Sequence, residues 1–213
     1  MKKAVLFDLD GTLLDTVQDL TDSVNFALSL HGYPPRTQEQ ILAALGNGAR
    51  ELIRLSLPQE GQENVDRVLA DYQVHYRGNC QNKTRPYPGI MQALARIGQK
   101  YAIAIVSNKP DAPVKKLCAD YFPGIFALGE RPGCPRKPAP DMLEAALSTL
   151  QADACVYVGD SEVDVQTAAA LGVSCISVTW GFRREEDLQM AGADYFCRRA
   201  EELPALVEKL LGE

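Results

Sequence analysis

Several features that mark specialised protein classes are missing from this chain of 213 residues. None of its six cysteines forms a CxxC pair, so a zinc knuckle or a redox motif is not expected. No apolar run is long enough to span a bilayer, and Asp8 and Asp10 interrupt the N-terminal apolar run, so neither a membrane partner nor a signal peptide is expected. The net charge of −6 argues against non-specific nucleic-acid binding. Reduced thiols and a cytoplasmic location are therefore predicted.

The pattern of apolar residues divides the chain into a helical block and a part in which strands and helices alternate. Between residues 14 and 97 no strand signal occurs, and helical periodicity predicts a small all-helical block. Further along, the predicted strands cover residues 101–106, 125–128, 155–158 and 174–178, with a helix after each. This alternation predicts a parallel sheet covered by helices on both faces. Because the predicted first strand, residues 4–9, joins that sheet, the helical block is an insert.

The predicted first strand carries two carboxylates, Asp8 and Asp10, and is followed by Gly11. Alternation places residues i and i+2 on the same side of a strand, so these carboxylates are expected to point together. Side by side they repel each other unless a cation or a shared proton compensates. An Asp-Gly turn alone would account for Asp10 and Gly11 but not for a carboxylate inside an apolar run. The stretch therefore predicts a catalytic or metal site.

Polar residues follow the next strand, and a lysine precedes a later helix. Ser107 and Asn108 follow residues 101–106 and can donate to an anion, although a plain polar turn is an alternative. Lys109, beside them, is expected to be solvated. Lys137 lies in a proline-rich loop that stiffens the start of a helix and holds the lysine in one place.

Two more carboxylates occur where the strand over residues 155–158 ends. Asp160 follows the strand, and Ser161 is a predicted N-cap that places Asp164 in the first helical turn. Ligands of parallel α/β sheets bind at the carboxyl ends of the strands. All these polar residues are therefore expected at one edge of the sheet.

In this order the clusters resemble the four motifs of the haloacid dehalogenase-like hydrolase superfamily. The matching residues are Asp8, Asp10, Gly11 and Thr12 for DxDGT, Ser107 for the second motif, Lys137 for KP, and Asp160 with Asp164 for GDxxxD. The resemblance implies an α/β fold with a Rossmann-like parallel-sheet core, helices on both faces, and an inserted all-helical cap of type one. The expected boundaries are 1–14 and 88–213 for the core and 15–87 for the cap with its linkers.

The resemblance also implies a Mg²⁺-dependent phosphatase that hydrolyses a small phosphate monoester through an aspartyl-phosphate. Asp8 would attack phosphorus, and Asp10 would protonate the leaving alcohol and later deprotonate water. The implied metal ligands are Asp8, Asp160, Asp10 through its carbonyl, and Asp164 directly or through another group. Gly11 and Thr12 would shape the turn, while Ser107, Asn108 and Lys137 would hold the phosphoryl oxygens.

The substrate prediction depends on residues 45–50, LGNGAR, within the helical block. They resemble a loop in the caps of phosphoglycolate phosphatases, which makes Asn47, Gly48 and Arg50 candidate substrate residues, although a plain helix–helix turn is the alternative. Those caps often carry an acid at the position of Arg50. We expect 2-phosphoglycolate as substrate, with a β-phosphoglucomutase-like mutase or an inorganic pyrophosphatase as alternatives. The complete set of acids disfavours a non-catalytic binding protein. A monomer or a homodimer is expected, and residues 180–182 either line the site entrance or pack a loop.

Overall fold

The computed structural model describes residues 1–212 and contains one large sheet and one small one. The strands are β1 (Lys3–Phe7), β2 (Leu14–Asp15), β3 (Arg85–Pro86), β4 (Ala102–Pro110), β5 (Phe126–Glu130), β6 (Ala154–Gly159), β7 (Cys175–Val178) and β8 (Tyr195–Cys197). All six strands of the large sheet pair in parallel, in the order β5-β4-β1-β6-β7-β8. The predicted parallel α/β sheet is confirmed.

Strand β1 occupies the centre of the large sheet, because it pairs with β4 on one side and with β6 on the other. Phe7 is opposite Ile105 of β4 and Val158 of β6, so β1 and β6 end at nearly the same level, whereas β4 continues to Pro110. The chain builds the sheet outward from β1 to β5 and then returns to β6 on the opposite side. Such a reversal of strand order opens a crevice at the carboxyl ends, where ligands of this architecture bind.

Helices cover both faces of the large sheet. The helices that accompany the sheet are α5 (Ile90–Ile97), α6 (Asp111–Tyr121), α7 (Asp141–Leu150), α8 (Glu162–Leu171), α9 (Glu185–Met190) and α10 (Leu203–Leu211). On one face, α7 packs Met142 and Leu143 against the buried Leu6 and Tyr157 of the sheet, and α8 adds the buried Val165. Their apolar stripes and the strands, which are apolar on both sides, together bury the core.

The chain separates into two compact units, the first being Met1–Asp15 with Pro86–Glu213 and the second Thr16–Arg85. The second unit is built from helices that pack on one another around residues such as Leu28, Ile41 and Ile53, all fully buried. A capping box at its second helix joins Thr37 and Gln40. Its helices are α1 (Val17–Leu30), α2 (Gln38–Ala44), α3 (Gly48–Ser56) and α4 (Val65–Asn79), with a 3₁₀ segment at Gln59–Asn64. The assignment of this unit as a cap remains a prediction.

Two local features differ from the sequence-based expectation. The first strand ends at Phe7 rather than at residue 9, so strand alternation does not set the directions of Asp8 and Asp10. The two-residue strands β2 and β3 pair with each other, although no strand signal was found in this part of the sequence. A two-residue strand is too short to show the alternation by which a strand is recognised.

Candidate active site

A tight loop after β1 carries the first motif. Asp8 donates its backbone N–H to the carbonyl of Val158 at 2.9 Å, which continues the strand pairing by one residue. Gly11 has a φ of +85°, a conformation that L side chains rarely adopt. A Cβ atom on Gly11 would lie 2.3 Å from Oδ2 of Asp160, so this position also allows the loop to approach that carboxylate. Both observations explain why the motif requires glycine here.

Three buried carboxylates converge at the carboxyl ends of β1 and β6. Asp8, Asp160 and Asp164 each offer an oxygen, and these oxygens lie within 4.8 Å of one another. Asp8 comes directly after β1, Asp160 directly after β6, and Asp164 in the first turn of α8. Ser161 donates its N–H and its hydroxyl to Oδ2 of Asp164 at 3.1 and 2.6 Å, consistent with the predicted N-cap. Asp10 does not contribute a carboxylate to this group.

The buried ammonium of Lys137 connects two of these carboxylates. Its Nζ donates to Oδ1 of Asp8 and to Oδ1 of Asp164, both at 2.7 Å. It also donates to the hydroxyl of Tyr157 at 2.8 Å, and that hydroxyl lies 3.0 Å from Oδ1 of Asp164. Sequence analysis missed Tyr157, because within an apolar strand it is indistinguishable from a core aromatic residue.

Burial and mutual repulsion shift the titration of the cluster. Burial, only partly offset by Lys137 and reinforced by Asp164, raises the pKa of Asp8 to about 7. Burial and the charges of Asp164 and Asp8 raise the pKa of Asp160 well above its usual value. For Asp164, burial acts upward, but the charge and hydrogen bond of Lys137 prevail and lower the pKa. For Lys137, burial acts downward, but Asp164 and Asp8 prevail and raise the pKa.

This charge balance is suited to a divalent cation. When ionised, three carboxylates face one ammonium, which leaves an excess of two negative charges. Burial, together with repulsion between carboxylates that one ammonium does not fully compensate, raises the pKa of Asp8 and of Asp160. Carboxylate oxygens are also the hard donors that Mg²⁺ prefers. The donor chemistry and the charge of the cluster therefore fit a magnesium ion.

A loop after β7 closes over Asp160. The N–H of Phe182 donates to Oδ2 of Asp160 at 2.8 Å, and the hydroxyl of Thr12 donates to Oδ1 at 3.1 Å. A Cβ on Gly181 would lie 2.3 Å from the Cβ of Asp160. Trp180 donates its indole N–H to the carbonyl of Thr12 at 3.0 Å. The loop thus packs onto the acidic cluster, and residues 180–182 belong to its immediate surroundings.

Ser107 and Asn108 lie near the end of β4 and are buried. The side-chain amide of Asn108 donates from Nδ2 to the carbonyl of Lys137 and accepts from the N–H of Lys137, both at 2.9 Å. Ser107 accepts at Oγ from the N–H of Lys109 at 3.2 Å. The structure therefore brings Asn108 next to Lys137, and Ser107 precedes it on β4, the strand that pairs with β1.

The expectation that Lys109 is solvated is wrong. Lys109 is only 8% exposed, and its Nζ donates to Oδ1 and Oδ2 of Asp10 at 2.7 and 2.8 Å. The pairing between β4 and β5 is irregular between Val106 and Pro110, so the strand period does not fix the direction of this side chain. Asp8 and Asp10 consequently have different lysine partners, whereas the sequence predicts that a cation or a shared proton compensates the two carboxylates.

The predicted substrate residues of the helical block lie in the second unit. Asn47 precedes α3, and Gly48, its first residue, has a φ of +81°. Arg50 is exposed and pairs with Asp66, with 2.5 Å between Nη1 and Oδ1. The guanidinium of Arg50, a candidate substrate contact, therefore pairs with the carboxylate of Asp66 in this structure.

Comparison with known proteins identifies the relatives of this chain. A model of haloacid dehalogenase-like hydrolases matches residues 2–172. A phosphoglycolate phosphatase of Rhodobacter capsulatus is 34% identical over 194 residues, covering 86% of this chain and 87% of that protein. A phosphoglycolate phosphatase of Cereibacter sphaeroides is 34% identical over 217 residues, covering 97% of this chain and 98% of that protein.

A solved structure from Lactobacillus delbrueckii subsp. bulgaricus, described as a candidate phosphoglycolate phosphatase, has the same fold. It superimposes with a TM-score of 0.89 at 39% identity and covers 100% of both chains. With the family match over residues 2–172, these similarities establish that this chain belongs to the haloacid dehalogenase-like hydrolase family.

Proposed function

We propose that this protein is a Mg²⁺-dependent phosphatase that hydrolyses 2-phosphoglycolate through an aspartyl-phosphate on Asp8. The enzyme class, a phosphoric monoester hydrolase, follows from the family and the relatives. The observation that supports the mechanism best is the buried cluster in which Lys137 contacts both Asp8 and Asp164 beside Asp160. A nucleophilic carboxylate that meets an anionic phosphate needs this concentration of compensating charge.

Asp8 and Asp160 are the proposed carboxylate ligands of Mg²⁺, together with the backbone carbonyl of Asp10. When bound, the ion supplies positive charge that offsets the repulsion between carboxylates and phosphate. Asp164 has a different proposed role, because its carboxylate already accepts four hydrogen bonds, from Lys137, Tyr157 and the N–H and hydroxyl of Ser161. A carboxylate has about four acceptor positions in all. Asp164 therefore orients Lys137.

In the first step, an oxygen of Asp8 forms a bond to phosphorus as the bond from phosphorus to the ester oxygen breaks. The electron pair goes to the ester oxygen, which takes a proton from Asp10. In the second step, water attacks phosphorus and gives its proton to Asp10, and the bond to Asp8 breaks. Together the two steps return Asp8 and Asp10 to their starting states and release the alcohol and inorganic phosphate.

The phosphoryl oxygens are held by the residues around Asp8. The proposed donors are the hydroxyl of Ser107, the backbone N–H of Asn108 and the ammonium of Lys137, while Gly11 and Thr12 shape the loop. The side chain of Asn108 is already bonded to the backbone of Lys137, so its contribution is to place that lysine. Positioning and charge neutralisation dominate phosphoryl transfer, so these contacts carry much of the rate acceleration.

The substrate, the cap and the cellular setting are part of the proposal. Relatives named phosphoglycolate phosphatase support 2-phosphoglycolate, and the loop with Asn47, Gly48 and Arg50 would recognise its carboxylate. Arg50, which pairs with Asp66 through Nη1, would contact the substrate through other N–H groups of its exposed guanidinium. Residues 15–87 would form the cap with its linkers on a core of 1–14 and 88–213. We further propose cytoplasmic activity as a monomer or a homodimer, without a nucleic-acid or membrane partner.

All six cysteines are free thiols. Within residues 1–212, no helix has both the length and the apolar character that a membrane crossing requires.

The test is phosphate release from 2-phosphoglycolate, β-glucose 1-phosphate and pyrophosphate, with Mg²⁺ and with a chelator. We expect a preference for 2-phosphoglycolate and no turnover in the chelator. Asp8→Asn should abolish turnover and keep the fold, whereas the exposed Asp120→Asn should behave like the wild type. A preference for another ester would refute the substrate, and retained turnover in Asp8→Asn would refute the mechanism. Activity only with a sugar bisphosphate activator would indicate a mutase.

A further inference from the structure

The ion pair between Lys109 and Asp10 has no role in the mechanism described so far. We infer that Lys109 is a positioning residue, which fixes the side chain of Asp10 where it gives its proton to the leaving group when protonated and takes a proton from water as the carboxylate. The inference deepens the proposed function and depends on it, because it assumes that Asp10 is the acid and base of an aspartyl-phosphate mechanism.

The contact geometry supports a positioning role. The ammonium of Lys109 donates to both oxygens of Asp10, at 2.7 and 2.8 Å, so the carboxylate is held at two points. The side chains are 5% and 17% exposed, which makes this pair far less accessible than the surface pairs of the chain. An ammonium is costly to bury, and the pair is therefore expected to keep one geometry rather than exchange with water.

The backbone around Lys109 is itself anchored. Its N–H donates to Oγ of Ser107, at the irregular stretch of β4. The preceding residue, Asn108, is bonded to the backbone of Lys137. Three consecutive residues thus have connected contacts: Ser107 accepts from the backbone of Lys109, Asn108 bonds to the backbone of Lys137, and Lys109 contacts the carboxylate of Asp10.

Separate lysines for the two carboxylates make the inference testable. Lys137 contacts Asp8, and Lys109 contacts Asp10. Replacing Lys109 leaves Lys137 on the nucleophile, so attack on phosphorus should persist while proton transfer becomes slow. An alkyl phosphate needs a proton on its leaving oxygen, but p-nitrophenolate departs without one. The two ester types should therefore respond differently.

The experiment compares 2-phosphoglycolate, or the alkyl ester that the wild type hydrolyses fastest, with p-nitrophenyl phosphate under pre-steady-state conditions. For Lys109→Met, which keeps most of the length of the side chain and removes its charge, we expect kcat on the alkyl ester to fall about 10²-fold, the usual share of general acid–base catalysis. The first equivalent of p-nitrophenol should still form at a rate within about tenfold of the wild type. Further release should stop after this burst, because the hydrolysis step, in which Asp10 takes a proton from water, is also impaired. Asp10→Asn should give the same split.

Controls separate positioning from loss of structure. Lys115→Met removes an exposed lysine of α6 and should leave both esters unaffected. Lys109→Arg keeps the charge and should restore part of the alkyl-ester rate. If Lys109→Met does not fold, the uncharged Lys109→Gln takes its place, with the same expected split between the two esters. Equal losses on both esters, or no loss on either, would overturn the inference alone. A wild type that hydrolyses no phosphate ester would overturn the proposed function and this inference with it.

Discussion

The side chain of Asn108 and the backbone of Lys137 exchange two hydrogen bonds of 2.9 Å across 29 residues of sequence. The amide thereby ties the end of β4 to the loop before α7, and the ammonium of Lys137 reaches Asp8 and Asp164 from that loop. Asn108 thus determines where the main positive charge of the site is placed.

Asn108→Ala removes both hydrogen bonds and leaves two buried backbone groups of Lys137 without them. We expect a loss of about 1–3 kcal/mol in the free energy of unfolding for each unsatisfied group. We also expect a fall in kcat of about 10²-fold, since small displacements of a positioned group cost that much. Urea unfolding and steady-state kinetics measure both. Asn82→Ala, at an exposed side chain, is the control, and equal behaviour of the two variants would contradict the positioning role.

Tyr157→Phe removes a hydroxyl bonded to both Lys137 and Asp164. Because both partners are charged and buried, we expect a loss of about 1.5–3 kcal/mol in the free energy of unfolding. Tyr101→Phe is the matched control, since its hydroxyl contacts exposed Glu208, and its effect should stay within about 0.5 kcal/mol. Denaturant unfolding of both variants provides the measurement. The role of Tyr157 is refuted if its loss costs no more than that of Tyr101.

The raised pKa of Asp8 predicts how stability depends on pH without a metal. Burial raises this pKa from 3.8 to about 7, so between these values the folded protein holds a proton that the unfolded chain has released. The contribution of Asp8 is therefore present at low pH and is lost as the pH rises toward about 7. Asp160, with its raised pKa, acts in the same direction.

We expect the free energy of unfolding in a chelator to fall from about pH 5 to about pH 7. Asp8→Asn should reduce that slope, and Mg²⁺ should flatten it by replacing the proton. Urea unfolding at several pH values measures each slope. Identical slopes for the wild type and Asp8→Asn would show that Asp8 is not responsible.

Gly181→Ala tests the close packing of the loop after β7. A Cβ there would lie 2.3 Å from the Cβ of Asp160 and 2.5 Å from the carbonyl oxygen of Gly11, so the loop or the carboxylate must move. We expect a loss of about 1–3 kcal/mol in stability and weaker Mg²⁺ binding, followed through the fluorescence of the single tryptophan, Trp180.

Gly78→Ala is the opposite case and serves as control. Nothing lies within 4 Å of a Cβ at this helical position, so alanine should stabilise the protein by about 0.5–1 kcal/mol. Thermal unfolding compares the two variants. If Gly181→Ala changes neither the stability nor Mg²⁺ binding, the loop accommodates a larger side chain than its contacts indicate.

The sequence by itself determined the fold class, the family and the positions of the main acids. Strands apolar on both sides and alternating with helices specify a parallel sheet, and its carboxyl edge collects residues that follow its strands. Asp8, Asp160, Asp164 and Lys137 were predicted in this way, and the structure brings them together. The resemblance to haloacid dehalogenase-like hydrolases is confirmed by the family match.

Only the tertiary structure decided which lysine pairs with which carboxylate in the site. Lys109 and Asp10 are 99 residues apart, and the lysine lies at an irregular stretch of β4 and contacts Asp10, although it was expected in solvent because the family motif does not include it. Tyr157 belongs to an apolar strand, so its polar end became visible only next to Lys137. Backbone periodicity tells which residues share an edge of the sheet, but side-chain pairing depends on contacts between distant segments, and one sequence does not display them.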